Sequence, residues 1–403
     1  LTAETKTNFL SIPKAWLSNI QLTNFRNYTS LSQPLSSEHV VLIGHNGAGK
    51  TNLMEAVSML SPGRGMRRVR YDSMARIAQS ENGNLQLPWA VHCKLNFNDD
   101  EIGIGTGLSQ APDGQFENSR KLRIDQIPSK SLDSLLEHVR ILWLTPSMDG
   151  LFTGTASDRR RFMDRLVLAI DPQHGRRVNQ FEKAMRQRNK LLEGVIDDAW
   201  ISGIELQLAE LGSAIAAARQ ELIALLKAMI DADEIIDAFP KANLALLGEL
   251  ENAGQDHGLT SSSELEERYA QLLRDNRELD QRAGRTLIGP HRSDLLVHHR
   301  EKQMEARLCS TGEQKALLIG LVLAHAKLTA TLHRRTPILL LDEVAAHLDE
   351  LRRAALFDQI DRLGLQAWMT GTEQQMFSAL EGRAQVLMVN EGTLNNVSTW
   401  NKA

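Results

Sequence analysis

Between Trp89 and Phe97 every second residue is bulky and apolar: Trp89, Val91, Cys93, Leu95 and Phe97 share one face, with His92, Lys94 and Asn96 on the other. Period-two alternation predicts a strand with one covered face. Trp16–Leu22 and Tyr28–Leu31 also read as strands, flanking Asn24-Phe25-Arg26-Asn27. His39–Ile43 is dominated by apolar residues and reads as a buried strand. Thr51–Leu60 then follows helical spacing until Ser61-Pro62-Gly63 stops it. Ile102, Ile104, Leu122 and Ile124 suggest further short strands, with a turn at Asp113-Gly114.

The pattern changes near residue 150. Asp158–Glu193 and Gly203–Ile230 take helical periodicity; in the second, Leu206, Leu208, Leu211, Ile215, Leu222, Leu225 and Leu226 form a stripe. Glu264–Arg282 predicts another helix, with Leu265, Tyr269, Leu272, Leu273 and Leu279 on one side. Asn252–Ser263 between them is polar and rich in Gly and Ser, as a loop should be. Strands return at Arg285–Ile288 and Asp294–Val297. The expected organisation is an α/β domain in two parts, 1–150 and 285–403, interrupted at 151–284 by an arm of short antiparallel helices.

Composition narrows this picture only modestly. The 403 residues, 42% hydrophobic and 24% charged, suit a globular chain of one to three domains. The net charge of −4 gives no overall basic field, so any nucleic-acid contact must come from a local patch. Cys93 and Cys309 are too few and too far apart for a disulfide framework, which points to a reducing, cytoplasmic setting. Leu1–Lys14 has no signal pattern, and no apolar run of about 20 residues is evident, so no membrane is expected.

Three segments carry chemistry. Gly44-His45-Asn46-Gly47-Ala48-Gly49-Lys50-Thr51, followed by Asn52, is a complete phosphate-binding loop between a strand and a helix. Its backbone N–H groups would face phosphate oxygens at a helix start. Lys50 would supply charge to the β- and γ-phosphates, and Thr51 a hydroxyl to Mg²⁺. Ile338–Leu341 is apolar throughout and ends in Asp342-Glu343. Asp342 is placed as the second Mg²⁺ contact and Glu343 as the base that polarises an attacking water. Ser310-Thr311-Gly312-Glu313-Gln314 opens a helix of about Glu313–Thr331; taken alone it is an ordinary N-cap with a capping signature, and beside the other motifs it is a second N-terminus suited to a γ-phosphate through Ser310, Gly312 and Gln314. One chain cannot usefully aim both helix starts at one phosphate, so the site calls for a second copy. Arg64, Arg67, Arg68 and Arg70 form the densest basic cluster, either a DNA contact or a solvated loop. Arg159–Arg161 either bind DNA or pair with nearby acids.

Together these residues resemble the ABC-type ATPases, with Asp349 in Ala346-His347-Leu348-Asp349 similar to their D-loop aspartate. The long interval before Ser310 is similar to the SMC-like branch. Asn24-Phe25-Arg26-Asn27-Tyr28, Thr145-Pro146-Ser147 leading to Asp158–Asp164, and Gly289-Pro290-His291-Arg292 resemble the RecF family of DNA recombination and repair proteins. The resemblance implies an ABC-type P-loop ATPase head with a mixed sheet, an antiparallel β subdomain and an inserted helical arm. It implies a homodimer closed on two ATP molecules, with weak DNA-stimulated hydrolysis. It also implies binding to single-stranded and gapped duplex DNA, and work with RecR and RecO type mediators to load the recombinase and support the SOS response. Arg26 would reach the nucleotide or form a salt bridge, and Gly289–Arg292 would be a nucleotide contact or a structural turn. Three positions depart from the pattern. Thr311 stands where Gly or Ser is usual, and Ser293 where Asp is expected. Met369-Thr370-Gly371-Thr372 lacks the switch histidine, leaving Thr370 or Thr372 in its place. The competing readings are an energy-coupling transporter subunit and a P-loop kinase.

Overall fold

The computed structural model describes residues 12–80, 83–194, 197–232, 239–252 and 261–397. Strands β1 (Trp16–Phe25), β2 (Tyr28–Pro34) and β3 (His39–Ile43) lead into helix α1 (Lys50–Ser58). The hairpin β4 (Ile77–Ser80) and β5 (Gly83–Gln86) follows, then β6 (Trp89–Phe97), β7 (Asp100–Leu108), β8 (Lys121–Ile124), β9 (Ile127–Ser129), α2 (Leu135–His138) and β10 (Ile141–Leu144). The next stretch holds α3 (Ala156–Ile170), α4 (His174–Leu192), α5 (Asp198–Asp231), β11 (Ala242–Leu247), α6 (Ser262–Asp275), α7 (Arg277–Ala283), β12 (Asp294–His299) and β13 (Met304–Glu305). Last come α8 (Thr311–His333), β14 (Ile338–Leu341), α9 (Glu350–Arg362), β15 (Ala367–Gly371), β16 (Ala384–Asn390) and β17 (Thr393–Asn396).

Two compact units result. The first comprises the described residues of Leu1–Met148, Ile235–Phe239 and Leu321–Ala403. It holds a mixed sheet in the order β10-β14-β15-β3-β16-β17, parallel except for the β17 edge, and an antiparallel sheet in the order β2-β1-β6-β7-β8-β9. Central parallel strands are covered on both faces, and every residue of β3, β14 and β15 is buried. One apolar cluster joins both sheets to α1, drawing on Leu22, Val40, Leu42, Leu53, Val57 and Leu340. Trp89 meets Phe25 edge-on at 5.3 Å, and its indole N–H finds the Tyr71 carbonyl at 2.8 Å.

The second unit comprises the described residues of Asp149–Glu234 and Pro240–Gly320. Its core includes Phe181, Ala184, Leu208, Ile215, Tyr269 and Leu273. Gly212 lets α5 and α6 approach closely, since a Cβ there would stand 2.4 Å from Tyr269 Cε1. Buried charges tie the helices together: Arg188 meets Glu205, Asp280, Thr286 and the Leu273 carbonyl, while Arg219 meets both oxygens of Asp164.

Several sequence expectations need correction. Asp158–Glu193 is two helices, because Asp171-Pro172 interrupts it and proline cannot continue the ladder. Glu264–Arg282 breaks at Asn276, whose side chain turns back to the Leu272 carbonyl. Leu206 and Leu279 are exposed. Arg285–Ile288 is not a strand, since its N–H groups are drawn to a turn and to side chains: Arg285 donates to the Asp280 carbonyl, Thr286 to the Asn189 side chain and Leu287 to the Asp280 side chain. The units divide at 148/149, 234/235, 239/240 and 320/321, and the second unit runs on beyond residue 284 through the pairing of β12 with β11. The expectation that no apolar run is long enough to span a bilayer also fails. Thr311–His333 passes that test by length and composition, but 78% of its apolar window is buried inside the protein, as in a core helix.

Candidate functional site

The glycine-rich loop is held from one side by residues well before it in sequence. Asn27 Nδ2 donates to the Ala48 carbonyl at 3.1 Å, and the Tyr28 hydroxyl donates to the Gly49 carbonyl at 3.0 Å. Asn52 Nδ2 in turn donates to Asn27 Oδ1 at 2.8 Å. Peptides are planar and trans, so a carbonyl fixed toward Asn27 or Tyr28 turns the N–H of the next residue the opposite way. Gly49 and Lys50 N–H are thereby aimed off the loop's free side, at the start of α1. Gly49 has φ +114° and Gly44 φ +149°, and a Cβ on Gly44 would stand 2.5 Å from the Val389 carbonyl oxygen, so both positions require glycine.

Lys50 is buried, and Nζ donates to the carbonyls of Gly44 at 2.7 Å and His45 at 2.9 Å. It therefore straps the loop in the shape that surrounds an anion. Burial lowers its pKa, against the opposing pull of Glu343 and Asp342. Ala48 is buried inside the loop, and His45 and Asn46 are exposed on it.

At the C-terminal edge of the parallel sheet, Asp342 Oδ1 accepts from Thr51 Oγ1 at 3.1 Å and from Thr370 Oγ1 at 2.9 Å. Burial raises its pKa, and these two bonds work the other way. The Thr370 hydroxyl also accepts the Glu343 N–H at 2.7 Å. Glu343 sits at φ +55°, a left-handed conformation unfavourable for a non-glycine residue and held here by that bond. Thr51 and Asp342 form an all-oxygen pair beside the loop. This is the sparse hard-donor set that suits Mg²⁺ when phosphate oxygens complete the shell.

Arg26 is placed differently from a ligand contact. Its guanidinium forms a two-pronged pair with buried Glu55 of α1 at 2.8 and 2.9 Å and donates to the Ser73 carbonyl at 2.7 Å. This gives the salt-bridge alternative. Asp349 caps α9, accepting the Arg352 N–H at 2.8 Å, and is itself exposed.

In the second unit, Ser310 and Glu313 form a reciprocal cap at the start of α8. The Ser310 N–H donates to Glu313 Oε2 at 3.0 Å, and the Glu313 N–H donates to Ser310 Oγ at 3.4 Å. Lys302 beside it and Ser310 hold the Glu313 carboxyl down to about 2. Gln314 donates to the Cys309 carbonyl at 2.8 Å. Ser310, Thr311 and Gly312 are exposed, which leaves this helix start open to solvent. Gly289–Arg292 is a structural turn. The Arg292 N–H closes on the Gly289 carbonyl at 2.9 Å, and the Pro290 carbonyl accepts from Arg219 and from buried Ser293.

Sequence reading brought Gly44–Thr51, Asp342 and Glu343 together. It missed Asn27 and Tyr28 as supports of the loop, and Thr370 as the link between Asp342 and Glu343. Asn24–Tyr28 stood out as a motif, but nothing in its composition says which atoms it holds.

The parallel sheet, the strapped loop and the Asp-Glu strand end define an SMC-like P-loop ATPase head. Residues 16–395 match the model of the RecF/RecN/SMC N terminal domain. The chain is 56% identical over 380 residues to the DNA replication and repair protein RecF of Rhizobium etli (strain CIAT 652), spanning 94% of this chain and 98% of that protein. It is also 56% identical over 382 residues to the protein of the same description from Brucella abortus (strain 2308), spanning 94% and 95%. The chain belongs to the RecF family. In fold it is similar to a recombination mediator protein RecF determined with ATP, at TM-score 0.77 and 21% identity over 96% of this chain and 100% of that one. It is more distantly similar to an Smc head bound to the C-winged helix domain of ScpA, at TM-score 0.53 and 15% identity over 96% and 98%.

Proposed function

We propose that this protein is an ATP-dependent DNA clamp of replication and recombinational repair. The observation that carries the proposal is an assembled half-site, in which the strapped loop and Thr51 are joined to Asp342 at 3.1 Å. The Ser310–Gly312 helix start is meanwhile exposed. Names and structures of the relatives add DNA repair and ATP.

In this reading the loop N–H groups and Lys50 bind the triphosphate, with Gly44, Gly47 and Gly49 allowing close approach. Thr51 and Asp342 would hold Mg²⁺, which supplies charge neutralisation at the β- and γ-oxygens when bound. Glu343 accepts a proton from the attacking water. Ser310, Gly312 and Gln314 of a second copy, with its Asp349, close the site, so nucleotide binding adds directly to the stability of the pair. The partners proposed are single-stranded and gapped duplex DNA and mediators of the RecR and RecO type, in the cytoplasm, with slow DNA-stimulated turnover.

Glu343→Gln keeps the shape of the site and removes the base. Steady-state phosphate release should fall at least about a hundredfold, while ATP-dependent pairing is prolonged. Pairing abolished by this substitution would contradict the clamp.

A further inference from the structure

Most cations of the two basic clusters that stand out in the sequence bond to neighbouring residues of the chain, several of them at exposed positions. Arg67 bonds Asn52 and Glu55, and Arg70 bonds Asp72. Arg159 is committed to Asp294, Arg160 to the Ser293 carbonyl and Arg161 to Asp158. In a third set of cations only Arg186 has an acidic partner among the described residues, Glu182. Helix α4 buries His174, Phe181, Ala184, Arg188 and Leu192. Its opposite face exposes Arg176, Lys183, Arg186 and Lys190, interleaved with the amides Asn179, Gln180 and Gln187. At 3.6 residues per turn these seven side chains fall within an arc of about 120° and run for about 21 Å along the axis.

No carboxylate lies in that arc. Glu182 stands at its edge and pairs with Arg186 at 3.7 Å, and Glu193 follows the last turn. Arg176, Lys183 and Lys190 have no ion-pair partner among the described residues. A solvated helix face ordinarily interleaves acids with bases, because like charges three or four residues apart repel. Here Lys183–Arg186 and Arg186–Lys190 are such pairs, in a chain whose net charge is −4. Thr286 bonds to Asn189 at 2.9 Å, which brings exposed Arg285 beside the same end of the helix.

From this we infer that the outer face of α4 is a binding surface for the phosphate backbone of duplex DNA, an assignment that rests on the DNA-clamp reading. Cations with amide donors and no acid suit phosphate oxygens. A span of about 21 Å matches about six phosphates of one strand at 3.4 Å each. The face carries no aromatic side chain, so it offers nothing on which single-stranded bases would stack. It follows a backbone and does not read bases by stacking.

The test is fluorescence anisotropy of a short fluorescein-labelled duplex with the full chain and ATP, over a range of salt concentrations. Lys183→Gln with Arg186→Gln, and separately Arg176→Gln with Lys190→Gln, should each weaken binding about tenfold or more. Each pair should also lower the slope of log affinity against log salt by about two. ATP-dependent pairing and the circular dichroism of the helices should be unchanged. Lys227→Gln with Arg268→Gln removes equal charge elsewhere in the same unit and should leave the slope unchanged. If wild type binds and both α4 variants match it, or the control pair loses as much, the assignment to α4 is wrong while the clamp stands. If wild type fails to bind duplex at any salt concentration, the clamp reading itself falls.

Discussion

Thr370 shows how much one hydroxyl can organise. It donates to Asp342 at 2.9 Å and accepts the Glu343 N–H at 2.7 Å, fixing the proposed metal-binding carboxylate and the proposed base at once. Related heads place a histidine near this point, and the sequence suggested Thr370 or Thr372 as its substitute at the phosphate. The geometry gives Thr370 a role beneath the site, while exposed Thr372 bonds the Met376 sulfur at 3.8 Å. Thr370→Val removes both bonds and keeps the volume. Leaving the Glu343 N–H unpaired costs about 1–3 kcal/mol, so kcat for ATP hydrolysis should fall roughly tenfold or more with little change in nucleotide affinity. Thr370→Ser should restore most of the rate. A Thr370→Val variant that keeps the wild-type rate would mean that the hydroxyl's two bonds do not matter. The loop and the Asp-Glu pair were legible because each is contiguous and chemically distinctive. The supports were not, since Tyr28 lies 21 residues from Gly49 and Thr370 lies 28 from Asp342, and such bonds leave no local pattern.

At the scale of elements, periodicity found the helices and missed their breaks. Proline 172 was visible in the sequence, yet a pattern of apolar spacing carries straight across it. β11 went unnoticed because Ala242–Leu247 is short, and its pairing with β12 closes over nearly 50 residues. The helices of the second unit are joined by buried charge as well as by that apolar packing. Burial works against ionisation of Asp164, but bonds from His174 and Arg219 outweigh it and hold its carboxyl below the ordinary value. A carboxylate with a lowered folded-state pKa stabilises the fold above its ordinary value of about 4 and loses that contribution as pH falls below it. Arg219→Met would remove the cation that Asp164 and Glu251 share. It should cost about 3–5 kcal/mol in urea unfolding at neutral pH, and the loss should shrink on acidification as the carboxyls take up protons. A loss that is small and independent of pH would show that the network contributes shape alone.

For the whole molecule, the central claim is that one chain holds two halves of different sites. On this claim the loop and Asp342 would bind a nucleotide, while Ser310–Gly312 would close on one bound by a second copy. The most direct test is mass in solution by light scattering, with and without ATP and Mg²⁺, for wild type, Lys50→Ala and Ser310→Arg. The account predicts a monomer without nucleotide and a dimer with it for wild type. Lys50→Ala should stay monomeric because it does not bind ATP, and Ser310→Arg because it binds ATP but cannot close. A wild-type protein that binds ATP and remains a monomer, or a Ser310→Arg variant that dimerises as well as wild type, would contradict the shared site.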